Sequence, residues 1–119
     1  MAMAPSRQGQ VTTRSASEVS GRLREILGAR LTAVIAGVRD TRTVNRWADG
    51  TESPTQPIEA RLRAALEVTE TLLIGDSPET VRAWFLGQNP VLDDEAPALL
   101  LATQPDQVLL AAKVFAFHG

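Results

Sequence analysis

Apolar side chains recur every three or four residues along the first third of the chain, which is the spacing of amphipathic helices. The first stripe comprises Val19, Leu23, Ile26 and Leu27. Ser15 and Glu18 ahead of it have the spacing of a capping box, in which a hydroxyl and a carboxylate bond the free amides of a helix start. After a break at Gly28, the stretch from Leu31 to Val38 is also compatible with a buried strand, but the sequence offers no second strand to pair with it. The pattern therefore predicts two consecutive helices.

Glycine and proline residues divide the remainder of the chain. Gly37 indicates a turn, and Asp40 is a suitable N-cap for a short third helix over Thr41–Asp49 that ends at Gly50. The later signals predict helices that open near Pro57, Pro78, Pro97 and Pro105, and that close at Gly75, at Gly87 and, for the last one, near Phe117.

Helical signals run through nearly all of the 119 residues, so the predicted fold is all-α, a small helical bundle. We expect a flexible tail over residues 1–14, a helix-turn-helix region over 15–56 and a second helical region over 57–119. No stretch is apolar over the roughly 18 residues of a membrane span, and the chain contains no Cys. These features predict a cytoplasmic protein without disulfides or thiolate metal sites.

The net charge of −2 is the sum of two oppositely charged parts. Met1 to Trp47 carry eight Arg against three acidic residues, whereas Ala48 to Gly119 have a formal charge of −7. A basic segment suits a polyanion, while an acidic one is repelled by it. The first part is therefore a candidate for nucleic-acid binding, and the second is expected to face a different partner.

The predicted third helix has two faces of different chemistry, at about 100° per residue. Its apolar side comprises Thr41, Val44, Trp47 and Ala48. The opposite side comprises Arg42, Asn45, Arg46 and Asp49. Arginine can bond guanine, and asparagine adenine, through two hydrogen bonds in the major groove. The polar side is suited to reading DNA, although any surface helix also exposes such residues.

The stretch LTAVIAGV over 31–38 and the stretch RTVNRWADG over 42–50, followed by Pro54, resemble the Xre-type helix-turn-helix of bacterial repressors. This chain has one residue more between Gly37 and Val44 than the tight form of that motif. The resemblance implies that the third helix reads DNA. Because Arg42, Asn45 and Arg46 lie opposite Val44 and Trp47, we expect them at the bases, with the threonines nearer the phosphates. The expected DNA-binding residues are Arg39, Thr41, Arg42, Thr43, Asn45 and Arg46.

The stretch WFLGQNPVLDDEAP over 84–97, with three leucines at 99–101, resembles the toxin-binding domain of the MbcA/ParS/Xre family. That family often has small residues where this chain has Asp93 and Asp94. Together the two resemblances cover about residues 18–119. They imply the antitoxin of a type II RES/Xre toxin–antitoxin pair, which inhibits an NAD-degrading RES-domain toxin and represses its own operon.

Under this interpretation, region 57–119 serves toxin binding and dimerisation. The expected toxin-binding residues are Trp84, Asn89, Pro90, Phe115, Phe117, His118 and Gly119. Trp84 and Phe85 could equally complete the small core of the protein itself. We expect Phe115 and Phe117 at the partner surface, with the terminal carboxylate entering the toxin's active cleft. The expected partners are a cognate RES-type toxin and operator DNA, with a homodimer inside a larger hetero-oligomer and no membrane.

The sequence contains no motif of an enzyme active site: no glycine-rich phosphate loop, no Gly-x-Ser-x-Gly and no His-Glu-x-x-His. We therefore predict a non-enzyme with no catalytic residues, no cofactor and no metal. Two alternatives stay open at this point. One is a plain Xre-like repressor without a toxin partner, and the other is an interaction module with a vestigial DNA-binding motif.

Overall fold

The computed structural model describes residues 14–118, except for the side chain of His118, and the backbone in that range contains helices and no strand. The helices are α1 (Ala16–Leu27), α2 (Ala29–Ala36), α3 (Thr41–Asp49), α4 (Gln56–Leu72), α5 (Pro78–Leu86) and α6 (Pro105–His118). Two short 3₁₀ turns, Pro90–Leu92 and Pro97–Leu99, lie between α5 and α6. The predicted all-α fold is confirmed.

Side-chain caps start three of the helices. Ser15 and Glu18 form the predicted capping box of α1, with the Glu18 amide donating to Ser15 Oγ over 3.0 Å. Asp40 caps α3 by accepting a hydrogen bond from the Arg42 amide, and Ser77 caps α5 through the amide of Thr80. These caps satisfy amides that have no partner inside their own helix, which is why local sequence locates the helix starts.

The prediction of a helix that opens at Pro97 is wrong, because the chain forms only the 3₁₀ turn Pro97–Leu99 there. The Leu100 amide bonds the Pro97 carbonyl, a three-residue spacing that places Ala98 and Leu101 side by side in the core. Gln104 precedes Pro105, a position at which the helical backbone is disfavoured. Too few residues therefore remain between the two prolines for a stable helix.

A single hydrophobic core extends from Val19 in α1 to Ala112 in α6. Helix α1 packs against α2, α3, α4 and α5, and α4 packs along α6. The largest fully buried side chains include Leu23 in α1, Leu62 in α4 and Phe85 in α5. The two predicted regions thus share one apolar interior, in which α1 is the central helix.

Two arginines from the second region bond the carboxyl ends of helices in the first. Arg61 Nη1 donates to the Ala36 carbonyl at the end of α2 over 2.8 Å, and Arg82 Nη1 donates to the Ile26 carbonyl near the end of α1 over 2.9 Å. Such carbonyls lack amide partners and carry the negative end of the helix dipole, so a cation stabilises them. These contacts fix the relative position of the two regions.

The predicted tail lies outside the described residues up to Thr13, and its last member, Arg14, forms an ion pair of 3.0 Å with Glu70 in α4. Of the helices between residues 14 and 118, none has the length and apolar character needed to cross a bilayer.

Candidate functional site

Helices α2 and α3 are joined by the turn Gly37–Asp40, and α3 lies against α1 and α2. Val44 and Trp47 on α3 are fully or almost fully buried in the core. Ser17 Oγ donates to the Ala48 carbonyl over 2.8 Å and so holds the end of α3 to the start of α1. One side of α3 is therefore anchored, and the side that carries Arg42 and Arg46 faces solvent.

Arg42 is the most exposed of the paired charged side chains, with 80% of its side-chain surface accessible. It is nevertheless held by Asp40, whose carboxylate accepts bonds from Arg42 Nε at 3.0 Å and from Arg42 Nη2 at 2.8 Å. These bonds hold the pKa of the Asp40 carboxyl below its ordinary value and raise the pKa of the Arg42 guanidinium. The side chain thus projects outward in a defined orientation.

Arg46, one turn further along α3, is held in a similar way. Its Nε donates to Glu52 Oε1 over 2.9 Å, and its Nη2 lies 3.4 Å from Thr43 Oγ1. Glu52 belongs to the loop after α3, so the helix and the loop together orient the guanidinium. In both arginines the edge formed by Nε and Nη2 is therefore occupied.

Asn45 is less free to contact a DNA base than its position in the sequence predicted. It is only partly exposed, and its Oδ1 accepts a hydrogen bond of 3.1 Å from Arg24 Nη1 in α1. Arg24 also lies 3.8 Å from Asp49. Adenine recognition uses both polar atoms of an Asn side chain, so Arg24 competes for one of them. The arrangement assigns Asn45 a role in joining α1 to α3.

The other expected DNA-contacting residues lie near the amino end of α3. Arg39 is exposed in the turn, and Thr41 and Thr43 are partly exposed. Arg39 also lines a groove of about 590 Å³ between α2 and the start of α3, together with Arg30 and Val34. A second cationic group, Arg30, was not among the predicted site residues and lies on this same side of the molecule.

The residues expected to contact a toxin divide into two groups. Trp84 is 9% exposed and packs edge-on against Phe85 with ring centroids 5.3 Å apart, so it lies in the core. Asn89 is buried to the same degree, and its Oδ1 accepts the Val91 amide to start the turn Pro90–Leu92. Of this group only Pro90 is exposed.

The turn that contains Asn89 is closed by backbone bonds, including the Asp94 amide to the Asn89 carbonyl at 2.8 Å. Asp93 and Asp94 both take left-handed backbone conformations, with φ of 57° and 66°. Glycine is the residue that adopts this conformation at no steric cost.

Within residues 14–118, no three acidic, His or Cys side chains come together as a metal site.

Phe115 and Phe117, of the second group, lie on α6. Phe117 is 64% exposed, whereas Phe115 is at the edge of exposure and its ring centroid lies 6.5 Å from that of Trp84. Leu110 and Val114 are also exposed, and their spacing to Phe117 places all three on one side of the helix. The side chain of His118 and all of Gly119 lie outside the described residues.

We call the exposed stripe of Leu110, Val114 and Phe117 the α6 face. Sequence reasoning identified Phe117 but missed Leu110 and Val114, although their i, i+4, i+7 spacing was visible. The opposite side of α6 is also apolar, with Val108, Ala111 and Ala112 in the core. The exposed side also carries Asp106 and Lys113, which mark it as the solvent side, but the apolar residues between them make this marking weak.

No family model, curated protein or solved structure is significantly similar to this chain.

Proposed function

We propose that the protein is a DNA-binding antitoxin: it represses its own operon through a helix-turn-helix formed by α2 and α3, and its second region inhibits a RES-type, NAD-degrading toxin. The observation that carries the proposal is the anchoring of α3 through Val44 and Trp47 with Arg42 and Arg46 turned outward. A helix held on one side and cationic on the other is the kind of element that enters a major groove.

The charge distribution supports the DNA-binding part. The segment up to Trp47 has a formal charge of +5, and Arg30 and Arg39 lie beside α3 at the groove between α2 and α3. Cations on this side would contact phosphates and set the position of α3, while Arg42 and Arg46 would contact base edges. One short helix makes few base contacts, so we expect a dimer on a repeated or palindromic operator with half-sites about 34 Å apart.

The α6 face and the acidic second region support the inhibitory part. An NAD-degrading enzyme binds an anionic, phosphate-containing cofactor, so its cleft is expected to be basic. A partner segment of charge −7 from Ala48 onward is complementary to such a cleft. The α6 face would supply the apolar contacts, because exposed aliphatic and aromatic side chains are typical of the centre of a protein interface.

The DNA-binding part is tested by measuring binding to the chain's own promoter at several salt concentrations. Arg42→Ala and Arg46→Ala should each weaken binding by about 1–3 kcal/mol and relax base preference. Arg22→Ala is the matched control, since Arg22 is an exposed arginine on α1 that pairs with Glu25. If both α3 variants bind the operator as tightly as the control, α3 does not read DNA.

The inhibitory part is tested by co-expression with the adjacent open reading frame. We expect the two products to copurify, and the partner to consume NAD when it is purified alone. Co-expression without complex formation would favour a plain repressor. Complex formation without salt-dependent promoter binding would favour an interaction module.

A further inference from the structure

We propose that Asp40 is a specificity-determining residue: by holding the Nε edge of Arg42 it aims the terminal edge of that guanidinium at a guanine in the operator half-site. The inference rests on the proposed DNA-binding function and names the base that the site reads. It also predicts that Glu52 serves Arg46 in the same way at a neighbouring base pair.

The geometry of the guanidinium carries the argument. Arginine has five N–H donors in a plane, divided between a side edge formed by Nε and Nη2 and a terminal edge formed by Nη1 and Nη2. Asp40 occupies the side edge, with 3.0 Å to Nε and 2.8 Å to Nη2. Nη1 has no hydrogen-bond partner among residues 14–118, so the terminal edge is available for the two acceptors of guanine, O6 and N7.

The pair formed by Asp40 and Arg42 is attached firmly to the start of α3. Its carboxylate also accepts the Arg42 amide over 2.9 Å as the N-cap of α3. The carboxylate is thus oriented by the helix start, and it in turn orients the side chain two residues later. An arginine that is ordered before binding loses less conformational entropy on contact than one that is free.

The same carboxylate has an opposite effect on DNA of any sequence, because a negative charge beside the duplex repels phosphates. Removing it should strengthen binding to unrelated sequences while weakening the preference for guanine. A residue that only stabilises the fold would lower both quantities. A rise in affinity for unrelated DNA together with a fall in guanine preference therefore shows that Asp40 orients Arg42 and does not only stabilise the fold.

The pair formed by Arg46 and Glu52 extends the inference. Arg46 uses the same side edge, with Nε bonded to Glu52 and Nη2 near Thr43. Arg42 and Arg46 are four residues apart, about 6 Å along the helix axis, and base pairs are stacked about 3.4 Å apart. Their target bases should thus lie one or two base pairs from each other.

The experiment selects preferred duplexes from a randomised library with the full chain, then measures relative affinities for single-base variants at fixed salt. Wild type should prefer guanine over adenine by about tenfold or more at one position of each half-site. Asp40→Asn should reduce this preference roughly threefold or more and raise affinity for unrelated DNA. Asn remains a good N-cap, so α3 should stay intact, which a melting curve checks.

Asp49→Asn is the matched control, because Asp49 lies on α3 and loses the same charge but does not contact Arg42. It should raise affinity for all sequences and leave the guanine preference unchanged. Arg42→Lys keeps the positive charge but lacks the planar fork, and it should lose the same base preference as Asp40→Asn. Glu52→Gln should affect a different position, one or two base pairs away.

Unchanged guanine preference in Asp40→Asn contradicts the inference and leaves the proposed function standing. A preferred base other than guanine at the position that Arg42→Lys affects also contradicts it. Failure of wild type to bind any duplex contradicts the proposed function, and the inference with it.

Discussion

The two regions of the molecule have different surfaces although they share one core. In the first region, residues 15–56, four arginines form ion pairs within the region, namely Arg22, Arg24, Arg42 and Arg46, while Arg30 and Arg39 are exposed beside α3. Val34 is the one exposed large apolar side chain there among the described residues. In the described part of the second region, residues 57–118, the exposed large apolar side chains are Ile74, Leu86, Val91, Leu99, Leu110, Val114, Phe115 and Phe117.

This difference shows how a small protein can offer two kinds of contact. The polar surface of the first region costs little to expose and suits a hydrated, charged ligand. In the second region the α6 face groups three exposed apolar side chains on one side of a helix, and grouped apolar side chains are typical of a surface that binds another protein. Variants at one surface should leave binding at the other unchanged, whereas variants of the shared core should affect both.

Truncation after Lys113 should have the largest effect, because it removes Val114, Phe115 and Phe117 together. Under the proposed function, we expect cells that co-express the toxin to lose protection, and purified toxin to consume NAD as if this chain were absent. Operator binding should be retained, since α3 and α6 lie in different regions. Phe117→Ala tests the same surface while keeping the contact of Phe115 with Trp84, and Val34→Ala is its control. Equal inhibition by truncated and full-length chains would assign toxin binding to another surface.

Replacing either tryptophan tests the shared core. Trp47→Ala in α3 and Trp84→Ala in α5 should each lower the free energy of unfolding by about 3–5 kcal/mol, because both side chains are at least nine-tenths buried. Helix α1 packs on both α3 and α5, so each variant should still unfold in a single transition. Urea titration followed by circular dichroism measures this. Two separate transitions would contradict a common core.

Gly37→Ala should lower the free energy of unfolding by about 1–3 kcal/mol. Gly37 has a φ of +77°, and an added Cβ would lie 2.9 Å from Arg61 Nη1, which bonds the end of α2. Gly21→Ala is the control: it lies within α1 with open space around it and should gain about 0.5–1 kcal/mol. Thermal melts of both variants compare them, and equal effects would show that the turn between α2 and α3 is not constrained.

The acid dependence of stability should show the smallest effect. The pKa of Glu18 is lowered from 4.5 by its hydrogen bonds with Ser15, and the pKa of Asp40 is lowered from 3.8 by Arg42. A carboxylate whose pKa is lower in the folded than in the unfolded chain stabilises the fold at pH values above its unfolded-state pKa. This stabilisation is lost as the pH falls through the folded-state pKa. Melting temperatures should thus fall as the pH drops below these ordinary values, less steeply in Glu18→Gln and Asp40→Asn. Identical slopes would show that neither carboxylate is linked to folding.

Local signals predicted most of the helix boundaries. The capping box of Ser15 and Glu18, the N-cap Asp40 and the helix end at Gly50 all depend on groups within a few residues of each other. Such contacts form in nearly the same way in any fold, so the sequence pattern is sufficient. The helix expected at Pro97 failed for two reasons: Pro105 leaves it few residues, and Ala98 and Leu101 pack in the core after a 3₁₀ turn.

The candidate site was predicted in part. Arg42 and Arg46 lie on the solvent side of α3 as expected, because Val44 and Trp47 mark the opposite side. The bond from Arg24 to Asn45 joins residues 21 positions apart, and no local pattern indicates it. The same holds for Trp84, whose burial depends on packing that the sequence left open.

The sequence alone determined that this chain is helical, where most of its helices start, and which face of α3 is apolar, since each depends on hydrogen bonds and hydrophobic spacing within one or two turns. Only the tertiary structure decided that α1 would be the central helix, that Asn45 would be held by Arg24, and that one apolar side of α6 would remain exposed. Those outcomes depend on which faces meet after distant segments come together, and a two-sided apolar helix or an exposed arginine is compatible with several such arrangements.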